Sequence, residues 1–270
     1  MGTGLGLGIG IPFRRMGAGL SPEAKAWEAR IIANGGTIPA ATLAIFDEYF
    51  FIPAKANGNI LTELDRLNIY CGLNGYEIAA RTNTIKSAHF VTPVSSPIFD
   101  NNGYKSGGTS YLDLNYNPST QGVKFTLNSA CIGYVVRNPL WTAQKRAIGN
   151  HTGVADRTDL QRDTSSSGVF VNSQFGVQNT NKPSGKVFLM ALRTASNADA
   201  AITNATIVNG SNASTAIPNN NIYELGLNFG GLAIGPFDTN EHLCSFNGSG
   251  SLDYANLRTI LNNLFTALGV

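Results

Sequence analysis

The first part of the chain carries apolar residues with the spacing of a helix. Four of them share one helical face: Leu20, Ala24, Trp27 and Ile31. Ser21 is a favourable N-cap, and Pro22 suits the first helical position. The pattern predicts a helix over residues 21–34, where Asn34-Gly35-Gly36 ends it.

A second apolar stripe follows Pro39 and predicts another helix over residues 40–51. Its stripe consists of Leu43, Phe46 and Phe50. Because proline lacks an N–H, Pro53 is expected to end this helix. Residues 60–66 are predicted to form one or two further helical turns, with Leu61 and Leu64 facing inward.

After residue 67 the period of the pattern changes from 3.6 to 2, which is typical of β-strands. In 122–128, for example, Val123, Phe125 and Leu127 alternate with polar residues. The predicted strands are 67–71, 110–115, 122–128, 130–137, 168–172, 186–192, 222–228 and 242–246. Turn sequences rich in Gly, Asn, Ser and Pro separate them and are too short for crossover helices. The fold class predicted is mainly β, an antiparallel sandwich of two sheets.

The chain ends in a predicted helix over 252–268, expected to cover a sheet face or one end of the sandwich. Four segments therefore follow one another: a Gly-rich arm (1–20), a helical lead (21–66), a β-sandwich (67–248) and a C-terminal helix (249–270). In the arm, glycines alternate with apolar residues, namely Leu5, Leu7, Ile9 and Ile11. In an extended chain these four side chains share one side, so the arm is a candidate assembly element that adds a strand to a neighbouring subunit.

Composition limits the classes of function. Hydrophobic residues make up 43% of the 270 residues and charged residues only 13%, with a formal net charge of +2. This near-neutral balance argues against a nucleic-acid protein, which needs clustered lysine and arginine. No run of apolar residues approaches the length of a membrane span. The three cysteines, Cys71, Cys131 and Cys244, form no metal-like cluster and are expected to be buried free thiols.

The search for catalytic chemistry finds no complete motif. Phosphate-loop, nucleophile-elbow, zinc-protease and calcium-loop patterns are all absent from the sequence. His151 lies in a segment, 148–166, that is predicted to be a polar loop, while Asp113 and Glu224 are expected at solvated strand positions. The sequence therefore predicts no catalytic residues, no metal, no cofactor and no enzymatic activity.

Aromatic residues beside polar turns leave room for glycan recognition. The candidate residues are Trp141, Tyr104 and Tyr116, although core packing is the favoured explanation for any one of them. A glycan-binding module that contacts the host surface is therefore kept as an alternative function, and a glycan-degrading enzyme as a third possibility.

Two stretches of the chain resemble tailed-bacteriophage and prophage virion structural proteins. They are IIANGGTIPAATLAIFDEYFF with LDRLNIYCG, within 31–72, and GGTSYLDLNYNPST with VKFTLNSACIGYVVRN, within 107–138; LRTILNNLFTAL at 257–268 agrees with them. The resemblance implies a concanavalin-like, laminin-G-like jelly roll. It also implies a virion component made in the host cytoplasm, and it supplies no catalytic residues.

The function expected from these observations is that of a non-enzymatic structural protein in the virion. A tail or appendage component, assembled through the arm, is the first expectation, and a capsid decoration or head-fibre protein is the alternative. The expected partners are other virion proteins and further copies of this chain, with a host-surface glycan as a possible ligand. Neither nucleic acid nor a membrane is expected as a partner.

Overall fold

The structure is a computed structural model that describes residues 19–72, 81–82, 84–86, 89–153 and 155–270. Its helices are α1 (Pro22–Ala33), α2 (Ala40–Phe46), a π-helical turn (Asp47–Phe51), α3 (Ile52–Ala56), a 3₁₀ turn (Ile60–Glu63), α4 (Pro118–Gln121) and α5 (Tyr254–Ala267). The predicted assembly residues Leu5, Leu7, Ile9 and Ile11 lie outside the described residues.

Seventeen strands follow in the described chain. They are β1 (Leu64–Ile69), β2 (Thr92–Val94), β3 (Ile98–Asp100), β4 (Gly103–Lys105), β5 (Tyr111–Asp113), β6 (Ala130–Arg137), β7 (Lys145–His151), β8 (Arg157–Arg162), β9 (Ser167–Phe170), β10 (Val177–Asn179), β11 (Lys186–Ala195), β12 (Ala198–Thr203), β13 (Thr206–Gly210), β14 (Tyr223–Glu224), β15 (Leu227–Phe229), β16 (Leu232–Ile234) and β17 (Glu241–Gly248).

The strands form two sheets. The first sheet has the order β13-β12-β11-β6-β17-β4-β3, and β1 also pairs with β17. The second has the order β10-β9-β8-β7-β14-β5-β2, with β15 and β16 added beside β7. The pairs are antiparallel except β15 with β7, which is parallel. The predicted antiparallel sandwich, with helices before and after it, is therefore confirmed.

The molecule has three layers and two apolar cores. One core lies between the sheets and includes Leu112, Ile132, Ile148, Leu160 and Leu189. The other lies between the first sheet and the helices, where α5 and the N-terminal helices cover the sheet. The C-terminal helix thus covers a face of the first sheet, and the outer face of the second sheet is the face that these helices leave open.

The first helix follows its sequence signals closely. The Ser21 hydroxyl accepts a hydrogen bond from the Ala24 N–H at 3.2 Å, and Asp47 accepts one from the Ser21 N–H at 3.0 Å. The Trp27 ring packs against Phe46, with 4.8 Å between ring centroids. The N-cap, the helix and its apolar stripe are all as predicted.

The second helix does not end at Pro53 as predicted. Instead it passes through the π-helical turn and continues as α3, where Pro53 occupies the second position. A π-helical turn changes the register of the backbone hydrogen bonds, and proline is tolerated in the first turn after such a change because no partner for its N–H is needed there. The π-helical turn buries Phe50 and Phe51 beside α5.

Segment 122–128 is not a strand, although its sequence alternates. The Asp65 carboxylate accepts hydrogen bonds from three successive backbone N–H groups, those of Val123, Lys124 and Phe125, at 2.8–3.1 Å. These hydrogen bonds to a side chain give the backbone N–H groups their acceptors without a neighbouring strand. Phe125 is buried by it, whereas Val123 is 78% exposed.

Candidate functional site

The outer face of the second sheet carries a polar groove of about 320 Å³ near the edge formed by β8, β9 and β10. That volume is at the lower end of the range for small-molecule sites, roughly 300–1,000 Å³. In β8 the side chain of Leu160 points into the core between the sheets, so its neighbours Asp159 and Gln161 face outward. The groove is therefore built on strands, which hold their side chains rigidly.

Amide side chains and aromatic rings make up most of the groove. Its lining side chains include four glutamines and two phenylalanines: Gln144, Gln161, Gln174, Gln178, Phe170 and Phe175. The Gln161 carbonyl accepts hydrogen bonds from Gln144 Nε2 at 2.8 Å and from Arg146 Nη1 at 2.5 Å. Both lone pairs of this oxygen are engaged. The amide nitrogen of Gln161 is therefore the part of the side chain that can still form a hydrogen bond with a ligand, as a donor.

The two phenylalanines differ in exposure. Phe175 is 65% exposed and offers an open ring face at the groove. Phe170 instead supports the neighbouring cation, because the Arg157 guanidinium lies 3.3 Å from its ring centroid. A glycine is required behind this ring, since a Cβ at Gly176 would lie 2.7 Å from it.

A charged cluster adjoins the groove, with the Asp159 carboxylate at its centre. Its Oδ2 atom lies 2.5 Å from His151 Nε2, 2.8 Å from Arg157 Nε and 3.8 Å from Arg146 Nη1. Burial alone would raise the pKa of Asp159, but the hydrogen bond from His151 and the charge of Arg157 lower it. One carboxylate thus faces two guanidinium groups and a histidine.

Gly149 makes room for this cluster. It pairs with Asp159 across the β7–β8 ladder, and a Cβ at Gly149 would lie 2.3 Å from the Asp159 Cβ. The backbone φ of Gly149 is +157°, a value that other residues rarely adopt, so the glycine is needed here for its backbone conformation as well as for space.

A second charged cluster is fully buried between the sheets. His242 lies between two carboxylates, with Nδ1 2.8 Å from Glu224 and Nε2 3.1 Å from Asp238. Asp238 also pairs with Arg162, a residue that lines the groove, and Tyr70 donates to Glu224 at 2.9 Å. The groove wall is therefore fixed by an ion-pair network inside the sandwich.

The charges of this network hold one another in place. Burial would lower the pKa of His242, but hydrogen bonds to Asp238 and Glu224 outweigh that effect and raise it. Burial would likewise raise the pKa of Asp238, but the Arg162 charge and the His242 hydrogen bond hold it well below its usual range. Glu224 is fully buried, so the expectation of a solvated position for it is wrong.

We expect the stability of the protein to depend on pH through His242. The pKa of His242 is higher in the folded protein than its unfolded value of about 6.5. Its contribution to the free energy of unfolding is therefore complete below about pH 6.5 and is lost as the pH rises through the folded-state pKa. Urea unfolding of the wild type should show a free energy of unfolding that falls as the pH rises above about 6.5. His242→Gln should flatten this dependence, and equal slopes for the two proteins would contradict the assignment.

The structure corrects two of the three predicted glycan-binding residues. Tyr104 has no exposed surface and stacks on Phe99 in the core, with 5.5 Å between ring centroids. Tyr116 is 1% exposed and donates its hydroxyl to Asp65 at 2.9 Å. Neither ring can therefore present a face to a ligand, because both fill the space beneath the turns that flank them.

Trp141 lies beside the groove without lining it. Its ring packs partly against the core between the sheets, and its Nε1 donates to the Pro183 carbonyl at 3.2 Å. The Arg162 guanidinium lies 5.7 Å from the ring centroid.

The groove was missed because segment 148–166 was expected to be a loop. It contains the end of β7 and all of β8, and the two strands pair from Lys145 to His151. Their outward positions are charged or amide residues and their inward positions include Thr158 and Arg162, so little apolar alternation is visible. The alternation of Arg157, Asp159 and Gln161 was the remaining signal of a strand.

The cysteines, possible metal ligands and possible membrane-spanning helices can be compared directly with the sequence predictions. Cys71, Cys131 and Cys244 are buried free thiols, as predicted. Over the described ranges, we find neither a group of three or more His, Cys, Asp and Glu residues suited to a metal nor a helix long and apolar enough to cross a membrane.

Comparison with known proteins gives structural similarity only. No protein-family model matches the sequence, and no curated protein matches it. Among solved structures, the Trypanosoma rangeli sialidase in complex with sialic acid matches 76% of this chain with a TM-score of 0.51 and 11% identity. A T. rangeli sialidase mutant that displays trans-sialidase activity matches 84% with a TM-score of 0.53 and 11% identity. The botulinum neurotoxin serotype D binding domain matches 76% with a TM-score of 0.50 and 9% identity.

These matches show the fold and correct one prediction. The chain spans 33% and 39% of the two sialidase chains and 52% of the toxin domain. The prediction that the chain is not an enzyme is contradicted, because solved structures with this fold include sialidases. That prediction rested on missing motifs and on isolated histidines, and folding brings both His151 and His242 within hydrogen-bond distance of carboxylates.

Proposed function

We propose that this chain is a carbohydrate-binding β-sandwich of a tailed-bacteriophage virion. The observation that carries the proposal is the groove: four glutamine amides and the exposed Phe175 ring lie together on the sheet face that the helices leave open. Amide groups donate to and accept from sugar hydroxyls, and an exposed ring stacks on the apolar face of a sugar. Among the described residues no lysine lines this groove, and its acidic residue, Asp163, accepts hydrogen bonds from the backbone N–H groups of Ser165 and Ser166.

The virion part of the proposal is supported by the sequence resemblance. The resembling stretches, 31–72, 107–138 and 257–268, lie in the helical layer, in β1, β5 and β6, and around α4. The groove is formed by residues 144–178, outside those stretches. This division suits a protein built on a scaffold shared with other virion proteins. The scaffold would serve assembly, and the groove would be the recognition surface particular to this chain.

A glycan array with calorimetric follow-up tests the carbohydrate-binding proposal. We expect the protein to bind a subset of glycans and Phe175→Ala to weaken that binding about tenfold or more, because burial of a phenylalanine ring is worth roughly 1.5–3 kcal/mol. Phe90→Ala is the matched control, since Phe90 is 42% exposed and precedes β2 at the opposite edge of the same sheet. Equal binding by the two variants, or no bound glycan, would refute the proposal.

The virion role has a separate test. We expect deletion of residues 2–13 to leave the sandwich folded but to reduce incorporation of the protein into particles, as measured by immunoblotting of purified phage. The reason is that the Gly–apolar alternation of this arm suits addition of a strand to a neighbouring sheet. Normal incorporation of the truncated protein would contradict the assembly role.

A further inference from the structure

We infer that the end of the groove beside Arg146 and Arg157 binds the anionic group, a carboxylate or a sulfate ester, of an acidic sugar. This inference rests on the proposed function and specifies its substrate class. It begins from the charges of the cluster, in which the single carboxylate of Asp159 faces both guanidinium groups. Two guanidinium charges against one carboxylate therefore leave one positive charge unbalanced there.

Each of the two guanidinium groups has N–H donors that form no hydrogen bond within the cluster. Both Arg157 hydrogen bonds go to Asp159, from Nε at 2.8 Å and from Nη2 at 3.4 Å. Arg146 donates through Nη1 to Gln161, and its Nε is buried without a hydrogen-bond partner. Each guanidinium carries five N–H donors in a planar fork, so several remain for an anion.

The two arginine side chains are partly exposed and held in place. The side chains of Arg146 and Arg157 are 21% and 18% exposed. The Phe170 ring supports Arg157 from below, and Gln161 and Asp159 hold Arg146 from two sides. Because guanidinium groups fixed in this way lose little entropy on binding, they suit recognition of carboxylate and sulfate oxygens.

The cluster is continuous with the sugar groove. Gln161 lines the groove and bonds directly to Arg146, and Phe170 both lines the groove and contacts Arg157. A sugar ring that contacts the glutamine amides would therefore bring an acidic substituent within reach of the two arginines.

Three glucose-based probes test the inference: glucuronate, glucose 6-sulfate and glucose, each at constant ionic strength. Nuclear magnetic resonance of the Nε–H groups reports on the arginines, and backbone amides of Gly168 and Gln178 report on the groove. We expect an anionic probe to shift the Arg146 and Arg157 signals, with Arg258 in α5 unaffected, and glucose to leave them in place. The comparison of glucuronate with glucose 6-sulfate identifies which anion is preferred.

The outcomes separate the inference from the proposed function. If the groove amides shift but the arginine signals do not, or if glucose acts as strongly as both anions, the anionic site is refuted while sugar binding stands. If no signal moves with any probe, both are refuted.

A variant pair gives a second readout. We expect Arg146→Gln to weaken binding of the anionic probe about tenfold and to leave the glucose response unchanged. Lys145→Gln removes the same charge one residue away and should leave both responses unchanged. Should Arg146→Gln prove unstable, Arg146→Lys serves instead, because it keeps the charge but loses the planar fork. Equal anion binding by Arg146→Gln and the wild type would overturn the inference.

Discussion

Asp238→Asn is expected to lower the free energy of unfolding by about 3–5 kcal/mol. Asp238 is fully buried, pairs with Arg162 and hydrogen-bonds to His242 at 3.1 Å. The substitution keeps the shape of the side chain but removes its charge, which leaves a buried guanidinium without its counter-ion. Urea unfolding monitored by circular dichroism measures the change.

The matched control is the same substitution at the N-cap of α5. Asp253 accepts a hydrogen bond from the Asn256 N–H at 3.0 Å, and asparagine caps helices about as well as aspartate. Asp253→Asn is therefore expected to change the free energy of unfolding by no more than about 0.5 kcal/mol. If Asp238→Asn were as mild as this control, the buried network would not hold the two sheets in the way we describe.

Asp65→Ala is expected to destabilise the protein by about 2–4 kcal/mol, because hydrogen bonds to a charged group contribute roughly 1.5–3 kcal/mol each and Asp65 is partly exposed. Its carboxylate organises the non-strand segment 122–128 through three backbone N–H groups and also accepts the Tyr116 hydroxyl. Amide hydrogen exchange should accelerate at Val123, Lys124 and Phe125.

Tyr116→Phe serves as the comparison for Asp65→Ala, since it removes one of the same hydrogen bonds and leaves the other three. We expect a loss of about 1 kcal/mol from it. If Asp65→Ala cost no more than Tyr116→Phe, the backbone contacts of Asp65 would contribute nothing, and another cause would be needed for the irregular conformation of this segment.

The parts of the fold that the sequence predicted are those with a clear apolar period. Strand β6 was predicted at its observed bounds, because one set of alternate residues faces the core between the sheets and the other faces the helices. Helix α1 was predicted by its N-cap and by the stripe that includes Trp27. In such elements the order of apolar and polar residue types along the chain follows the order of buried and exposed positions.

The parts that were missed depend on polar groups brought together by folding. Strand β8 carries Arg162 on its inward side, and the charge partner of this residue, Asp238, is 76 residues away. No local pattern can reveal such a pair, so neither β8 nor the groove was predicted. The strand prediction for segment 122–128 was wrong for the opposite reason. Its alternation suggested a neighbouring strand, but the carboxylate of Asp65, distant in sequence, accepts the backbone hydrogen bonds instead.

The most direct test of the account is the binding of an array-selected oligosaccharide to Gly168→Leu, measured by isothermal titration calorimetry. Gly168 lines the groove, and the nearest atoms to a Cβ there would be those of the Gln161 side chain, at ordinary contact distances of 3.4 Å and more. A leucine should therefore fill the groove without disturbing the strand. Gly153→Leu is the control, since a Cβ at Gly153 meets no atom within 4 Å. We predict that Gly168→Leu unfolds like the wild type but binds at least about 30-fold more weakly, a change of roughly 2 kcal/mol, whereas Gly153→Leu binds normally. Binding by Gly168→Leu at wild-type affinity would contradict the placement of the glycan site in this groove.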